Sequence, residues 1–216
     1  MDEDYYSYIK MFFGRLAPFY DAIDLLIFRI RDKVVEFTNA ENGSRVLDVA
    51  AGTGKQSFAF AKNGCEVLGI DISEEMLEVA RRKNRYRNVR FEVADGTKLP
   101  FKDKDFDVCC ISFALHDMPL SVRKKILEEM VRVTKLKGTV VIVDYGLPRS
   151  RIGRYLIYRF VKFYESKYYP DFMKFDIKSL LNELGVVIEG ERSVLFGVGR
   201  ILKGRRINND GQKPIQ

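Results

Sequence analysis

The sequence predicts an α/β fold built on a doubly wound, mostly parallel sheet of seven strands with helices on both faces. Three observations support this prediction. Short apolar runs alternate with helical patterns between residues 45 and 145, which is typical of parallel strands joined by crossover helices. A glycine-rich turn follows the first apolar run. The chain has 216 residues, of which 46% are hydrophobic, and this is enough for one sizeable core.

The strands are predicted from short apolar runs bounded by turn residues. In chain order they cover residues 45–50, 66–70, 89–94, 107–112, 139–144, 186–191 and 194–202. The last two are expected to form an antiparallel hairpin at the edge of the sheet. Helical patterns cover residues 52–63, a stretch starting at Ser73, and residues 121–134 and 176–184. Ser73 is a favourable N-cap, and Glu74 and Glu75 place negative charge in the first turn of its helix.

Three further segments flank the predicted sheet. Residues 5–38 are expected to form N-terminal helices rich in aromatic side chains, with a break at Pro18. A helical insertion is predicted after the fifth strand, because residues 150–169 combine basic and aromatic side chains at helical spacing. The tail formed by residues 204–216 is expected to be disordered. Residues 1–203 are therefore predicted to form a single domain.

The net charge is +7, and its distribution argues against a partner that is a polyanion. Residues 1–80 carry a charge of −6, whereas residues 81–90 carry +6 and residues 149–168 carry +5. Cations at the end of a helix complement its dipole, which is a structural explanation for the cluster at 81–90. We therefore expect no nucleic-acid partner. The basic patch at 149–168 suits contact with an anionic membrane surface, and a core helix with a solvated basic face explains it equally well.

Several classes of protein are disfavoured by what the sequence lacks. No apolar run is long enough to span a bilayer, and the acidic residues 1–4 are not typical of a secretory signal. Cys65, Cys109 and Cys110 are predicted to be buried free thiols. With one histidine and no CxxC pair, no metal site is expected. These features predict a cytoplasmic protein, peripheral at the inner membrane face if it touches a membrane, and leave its oligomeric state open.

The glycine-rich turn at residues 47–54 has the sequence Leu-Asp-Val-Ala-Ala-Gly-Thr-Gly. Gly52 and Gly54 would let the backbone approach a ligand at the carboxyl edge of the sheet, where helix N–H groups also point. A phosphate-binding P-loop is excluded, because Gln56 stands where Ser or Thr is required after Gly-Lys. A dinucleotide fingerprint fits poorly, because Ser57 replaces its third glycine or alanine.

Three aspartates, Asp48, Asp71 and Asp95, lie where three successive predicted strands end. The carboxyl ends of parallel strands meet at one edge of a sheet, so these side chains are predicted to converge on one crevice. Each aspartate alone is better explained as a turn or cap residue. Together they suit a ligand that has an amine, a ribose diol and an adenine amino group but no phosphate. S-adenosylmethionine is such a ligand.

These segments resemble a known family. Residues 47–54 are similar to motif I of the class I S-adenosylmethionine-dependent methyltransferases, which have a Rossmann-like fold, and residues 69–77 resemble their second motif. Residues 94–101, followed by Phe106-Asp107, resemble the third strand, its loop and the fourth strand. Ala50 departs from the glycine of many members. The Ala-x-Gly-Thr-Gly form and the Ala-Pro-Phe-Tyr-Asp segment at 17–21 resemble the ubiquinone/menaquinone biosynthesis C-methyltransferase branch.

The resemblance implies roles for individual residues. Asp71 would bind the ribose hydroxyls, and Asp95 would accept from the adenine amino group. Asp48 would act indirectly, through water or the backbone. The remaining implied cofactor-binding residues cap, pack on or approach the cofactor: Tyr20, Ala50, Gly52, Gly54, Ile72, Met76, Gly96 and Thr97. Residues 1–40 would contain the helices that cap the cofactor, and residues 149–172 would form an insertion that covers the substrate.

The residues after the fourth predicted strand face the place where the methyl group would emerge. His116 is the only histidine and the first candidate for a general base, with Asp117 beside it. The alternative is that His116 orders its loop through a hydrogen bond. Asp144 and Tyr145, at the end of the fifth strand, are a further candidate pair, more for positioning than for catalysis.

The sequence therefore predicts an S-adenosylmethionine-dependent methyltransferase that acts on a small, lipophilic acceptor. The specific hypothesis is C-methylation of a quinol, which the resemblance favours. Two alternatives remain: a nucleic-acid methyltransferase, suggested by the basic pI of about 9.2, and a protein that binds the cofactor without turnover.

Overall fold

The computed structural model describes residues 28–146 and 168–207. Seven strands, numbered β1 to β7 in chain order, form one sheet in the order β3-β2-β1-β4-β5-β7-β6. Strands β1 to β5 are parallel, and β7 runs antiparallel to both β5 and β6. This arrangement confirms the predicted fold class, including the edge hairpin. The strands are β1 Arg45–Val49, β2 Glu66–Asp71, β3 Val89–Val93, β4 Phe106–Ser112, β5 Thr134–Tyr145, β6 Val186–Val194 and β7 Gly199–Arg206.

Six helices lie in the described ranges. The Ser73 hydroxyl caps the helix Glu74–Lys83 (α3) by accepting from the Met76 N–H at 3.3 Å, as its position predicted. The Asp176 carboxylate caps the helix Ile177–Glu183 (α6) in the same way, by accepting from the N–H groups of Lys178 and Ser179. The helices are α1 Phe28–Thr38, α2 Lys55–Lys62, α3 Glu74–Lys83, α4 Leu120–Val133, α5 Tyr169–Phe172 and α6 Ile177–Glu183. Short 3-10 turns cover Leu115–Asp117 and Leu195–Gly197.

The sheet is covered on both faces, so neighbouring strand residues enter different cores. Along β1, Val46 packs with α1, α2 and α3, whereas Leu47 packs with α4, α5 and α6. Cys109 and Cys110 follow the same alternation along β4, and both are buried free thiols as predicted. Burial raises the pKa of the Cys109 thiol to about 12, which makes it unreactive.

The start of the fifth strand differs from the prediction. It begins at Thr134 rather than 139, because Thr134, directly after α4, already pairs with Phe106 of β4. The pairing register shifts between Phe106 and Val108, and Lys137 has a left-handed φ of +63°. Lys137 and Gly138 therefore form an irregularity inside the strand.

The edge hairpin also differs in detail. The apolar residues from 195 to 197, predicted as strand, form a 3-10 turn, and β7 starts only at Gly199. Its last residues, 204–206, belong to the sheet rather than to the predicted tail, because Arg206 donates to the carbonyls of Arg132 and Thr134. A Cβ on Gly204 would overlap Val186, which explains why glycine is found there.

The remaining expectations about the flanks fall on residues outside the described ranges. These are the predicted helices before residue 28, the insertion at 149–167 and the tail from residue 208. Within the described part of the chain, no helix is long and apolar enough to cross a membrane.

Candidate active site

The site lies at the carboxyl ends of β1 and β4, which are adjacent although the chain forms β2 and β3 between them. In open α/β sheets this is the switch point at which ligands bind. Ala50, directly after β1, has a φ of +55°, and Phe113, directly after β4, has a φ of +51°. Left-handed backbone is unfavourable for side chains with a Cβ and is concentrated at functional sites. Both strands that border the crevice therefore end in strained residues.

Asp71 joins the glycine-rich turn to the start of α3. One of its carboxylate oxygens, Oδ2, accepts from the Gly52 N–H at 2.8 Å, and the other, Oδ1, accepts from the Ser73 N–H at 2.9 Å. Burial raises the pKa of Asp71, against the effect of these N–H donors. A carboxylate has about four acceptor positions, so two bonds to the backbone leave capacity for a ribose diol.

Asp95 and its neighbours form the next loop along the sheet edge. Its Oδ1 accepts from both the N–H and the hydroxyl of Thr97, each at 2.8 Å. A Cβ on Gly96 would lie 3.1 Å from a methyl of Val49, at the end of β1. Gly96 therefore brings the Asp95 loop close to the glycine-rich turn. The structure thus places Asp95, Gly96 and Thr97 beside Asp71 at the same edge.

Asp48 is more deeply buried than Asp71 and Asp95. Its side chain is 1% exposed and accepts a 2.6 Å hydrogen bond from the Ser57 hydroxyl of α2. Burial raises the pKa of Asp48 to about 6. The structure therefore brings two of the three predicted carboxylates to the crevice, while Asp48 lies beneath the glycine-rich turn. This position is consistent with the indirect role that the resemblance implied.

The two glycines of the turn serve different purposes. Gly54 has a φ of +82°, and a Cβ there would lie 2.7 Å from the ring of Phe91, so it is required for packing. Gly52 has a φ of +54°, and among the described residues its Cβ would meet only the Met76 methyl, at 3.6 Å. Met76 and the partly buried Ile72 line the same edge. Gly52 therefore leaves room for a ligand rather than for a neighbouring side chain.

Substitution Gly52→Val is expected to leave the protein folded but to weaken S-adenosylhomocysteine binding at least about tenfold. The backbone strain should cost about 1–3 kcal/mol of unfolding free energy, and the side chain would occupy ligand space. Gly43→Val is the matched control, because Gly43 also has a positive φ, +81°, and no atom of the described part of the chain lies within 4 Å of its Cβ. Calorimetry should show the affinity loss for Gly52→Val alone; equal affinity in the two variants would refute the placement of the ligand.

The second half of the site is the turn that contains His116. Asp144, at the end of β5 and 1% exposed, makes three hydrogen bonds, two of them to this turn. Its Oδ2 accepts from the Leu115 N–H at 3.0 Å, and its Oδ1 lies 2.7 Å from His116 Nδ1 and accepts from the Tyr145 N–H at 2.7 Å. Asp144 was predicted only as a member of a further candidate pair, but in the structure its hydrogen bonds hold the turn in place.

Both ring nitrogens of His116 face carboxylates. Nδ1 lies against Asp144, and Nε2 is 3.3 Å from Asp117 Oδ2. Burial alone lowers the pKa of His116, but the two carboxylates outweigh it, and the pKa lies well above its ordinary value of 6.5. A protonated imidazole has no lone pair to accept a proton. This geometry favours the second interpretation of His116, in which it orders the turn, over its use as a general base.

The charge of His116 should make the unfolding free energy depend on pH. Because its folded-state pKa is raised, its stabilising contribution is fully present below pH 6.5 and is lost as the pH rises through the folded-state value. NMR should show the single imidazole titrating well above pH 6.5, and the unfolding free energy should fall across that range. In His116→Gln this fall should disappear. Titration of His116 at or below 6.5 would contradict the description of the turn.

Aromatic side chains enclose the same turn. The ring of Tyr145 packs edge-to-face on His116, with centroids 4.7 Å apart, and on Tyr169 at 5.4 Å. Phe172 approaches His116 at 6.3 Å, and Phe113 approaches Tyr145 at 6.1 Å. The turn therefore lies among flat apolar surfaces next to the crevice.

Arg123 is the residue of this region that the sequence analysis missed. It is completely buried in α4 and donates through Nε to the carbonyls of Leu115 and Met118, on either side of His116. A signal was present in the sequence, because Arg123 shares the apolar helical face of Ile126, Leu127 and Met130. An arginine on such a face requires buried partners.

Comparison with known proteins agrees with this geometry. A family model described as a methyltransferase domain matches residues 46–138. A demethylmenaquinone methyltransferase of Renibacterium salmoninarum is 41% identical over 65% of this chain and 60% of its own length. A ubiquinone/menaquinone biosynthesis C-methyltransferase of Geobacter sulfurreducens is 30% identical over 92% of this chain and 88% of its own. The chain belongs to the class I S-adenosylmethionine-dependent methyltransferases.

The solved structures agree on the fold of this methyltransferase. An S-adenosylmethionine-dependent methyltransferase from Aquifex aeolicus superposes with a TM-score of 0.65 at 22% identity, covering 82% of this chain and 89% of that one. The cofactor of the family is S-adenosylmethionine, and the residues fit it: Asp71 has acceptor capacity, and Gly52 leaves space. Tyr20, the predicted cap, lies outside the described residues. Among the described residues, no cluster of histidine, cysteine or carboxylate side chains suits a metal ion.

Proposed function

We propose that this methyltransferase methylates a ring carbon of a reduced, lipophilic quinone. When bound, S-adenosylmethionine supplies an activated methyl group, which the ring carbon takes up in exchange for its proton. The observation that carries the proposal is the aromatic enclosure of Tyr145, Tyr169 and Phe172 beside the cofactor crevice. Flat aromatic walls suit a flat aromatic acceptor. Relatives named as demethylmenaquinone methyltransferases support the same acceptor class.

On this proposal the cofactor is held by the edge that Asp71 organises. Asp71 binds the ribose hydroxyls, and Asp95 with Gly96 and Thr97 contacts the adenine. Ile72 and Met76 pack on the adenine, while the backbone at Gly52 approaches the methionine part. The remaining proposed contacts are Ala50 and Gly54 in the turn, the cap Tyr20, and Asp48 from beneath.

The acceptor is oriented by the turn at His116. His116 holds Asp117 and Asp144 in place through its charge, and Tyr145 forms one wall. We assign the removal of the ring proton to Asp117, whose side chain is 20% exposed where that of His116 is 7% exposed. Methyl transfer depends mainly on proximity and orientation, so a rigid turn is the chain's main contribution.

The acceptor's lipophilic character makes contact with a membrane surface part of the proposal. The segment 149–168, which carries a charge of +5, would lie against anionic lipid. Co-sedimentation with vesicles containing anionic lipid should fall steeply as salt is raised. Equal sedimentation with neutral vesicles would contradict this part of the proposal.

The proposed function is tested by transfer of a labelled methyl group into a mixed extract of lipids, metabolites and RNA. We expect the label in a lipid-soluble quinone, formed only when the extract is kept reduced. Label in RNA, with binding that weakens steeply with salt, would favour a nucleic-acid methyltransferase. Binding of S-adenosylhomocysteine without transfer to any fraction would favour a cofactor-binding protein without turnover.

A further inference from the structure

Arg123 connects the turn at His116 with the segment around α5. Its Nε donates to the carbonyls of Leu115 at 2.9 Å and Met118 at 3.0 Å. Its Nη1 donates to Asp171 Oδ2 at 3.1 Å, and its Nη2 donates to the Tyr168 carbonyl at 3.2 Å. One guanidinium therefore bonds to two separate parts of the chain, with its Nε on one and its two terminal nitrogens on the other.

The burial of Arg123 is too costly to be incidental. Its side chain is 0% exposed, and a buried charge requires pairing and hydrogen bonds to be tolerated. The carboxylate partner, Asp171, is itself 56% exposed, so much of the compensation comes from backbone carbonyls. The guanidinium also lies over the rings of Phe172 and Phe175, at 5.3 and 5.6 Å.

The two parts that Arg123 joins carry the walls of the proposed acceptor site. The turn supplies His116, whose ring contacts Tyr145. The α5 segment supplies Tyr169, which packs on Tyr145, and Phe172, which approaches His116. A shift of either part relative to the other would change the width of this enclosure.

We propose that Arg123 is a positioning residue that sets the acceptor site by fixing the α5 segment, residues 168–175, against the turn at His116. The proposal rests on the proposed function, because it assumes that the aromatic enclosure receives the acceptor. Lysine cannot replace Arg123 in this role, because the donors of an ammonium group share one nitrogen, whereas those of the guanidinium are spread over three nitrogens that face both parts of the chain.

Arg123→Lys keeps the charge but breaks the connection, so it is the main test. With reduced, short-chain demethylmenaquinone as acceptor, we expect kcat/KM to fall at least about tenfold, because small misplacements are costly in transfer reactions. The affinity for S-adenosylhomocysteine should stay within about twofold, because Arg123 touches no part of the cofactor edge. Asp171→Asn, which alters a half-exposed side chain, should raise the acceptor KM about threefold and gives the same test if Arg123→Lys does not fold.

Arg206→Lys is the matched control. Arg206 also donates to two carbonyls, but it is only partly buried and lies at the opposite edge of the sheet. Arg206→Lys should lower the unfolding free energy and leave the acceptor kinetics unchanged. Parallel loss of cofactor affinity in Arg123→Lys, or acceptor kinetics like those of Arg206→Lys, would overturn the proposal. Failure of the unsubstituted protein to methylate the quinol would instead count against the proposed function.

Discussion

Substitution of Asp71 by alanine is expected to weaken the binding of S-adenosylhomocysteine by at least about 100-fold while the protein stays folded. Two losses combine. The bonds to the ribose diol disappear, and hydrogen bonds to a charged group contribute about 1.5–3 kcal/mol each. The Gly52 N–H also loses its acceptor at 2.8 Å, so the glycine-rich turn is no longer held against α3. Calorimetric titration measures the affinity directly.

Asp107→Ala is the control for this experiment. Asp107 also accepts from a backbone N–H, that of Arg45 at 2.9 Å, and from Lys135 at 2.7 Å, but it lies at the start of β4, away from the crevice. Its removal should reduce stability and leave cofactor affinity unchanged. If Asp71→Ala binds as tightly as Asp107→Ala, the ribose is not bound by Asp71.

Substitution Asp144→Asn is expected to lower kcat about 100-fold, because the turn at His116 loses the carboxylate around which it is built. The amide cannot accept from all three of its present donors, and a buried charge on His116 loses its nearer partner. Breaking a buried pair in this way costs about 3–5 kcal/mol of unfolding free energy. The pKa of His116 should fall, since the Asp144 charge is the strongest of the effects that raise it.

Kinetics at saturating acceptor, chemical unfolding and NMR of the single histidine together test this expectation. Affinity for S-adenosylhomocysteine should be retained, because Asp144 contacts the turn rather than Asp71. Asp107→Asn is the matched control and should leave both kcat and the histidine titration unchanged. A kcat within a factor of two of the unsubstituted protein would show that the turn does not orient the acceptor.

The positions of the residues proposed to bind the cofactor could be predicted because their signals are local. The glycine-rich turn, Asp71 and Asp95 are each recognisable from a few consecutive residues and from the strand that precedes them. Even here burial decided one detail, since Asp48 faces Ser57 beneath the turn rather than the crevice.

The acceptor half could not be predicted as fully, because it depends on contacts between distant residues. Asp144 meets His116 across 28 positions, and Arg123 meets Asp171 across 48. The sequence shows that His116 is the only histidine, but its protonation depends on which carboxylates approach it. The start of β5 was missed for a related reason, since Thr134 belongs to the strand through its pairing with Phe106 of β4 rather than through the pattern of residues 134–138.

The most direct test of the account is methyl transfer to one defined acceptor in its two oxidation states. Purified protein, labelled S-adenosylmethionine and short-chain demethylmenaquinone are incubated with and without a reductant, and the label in the quinone is measured. We predict incorporation into the ring of the reduced form and none into the oxidised form, because only the quinol ring is electron-rich enough to accept the methyl group. No incorporation into the reduced form, by a protein that binds S-adenosylhomocysteine, would contradict the account.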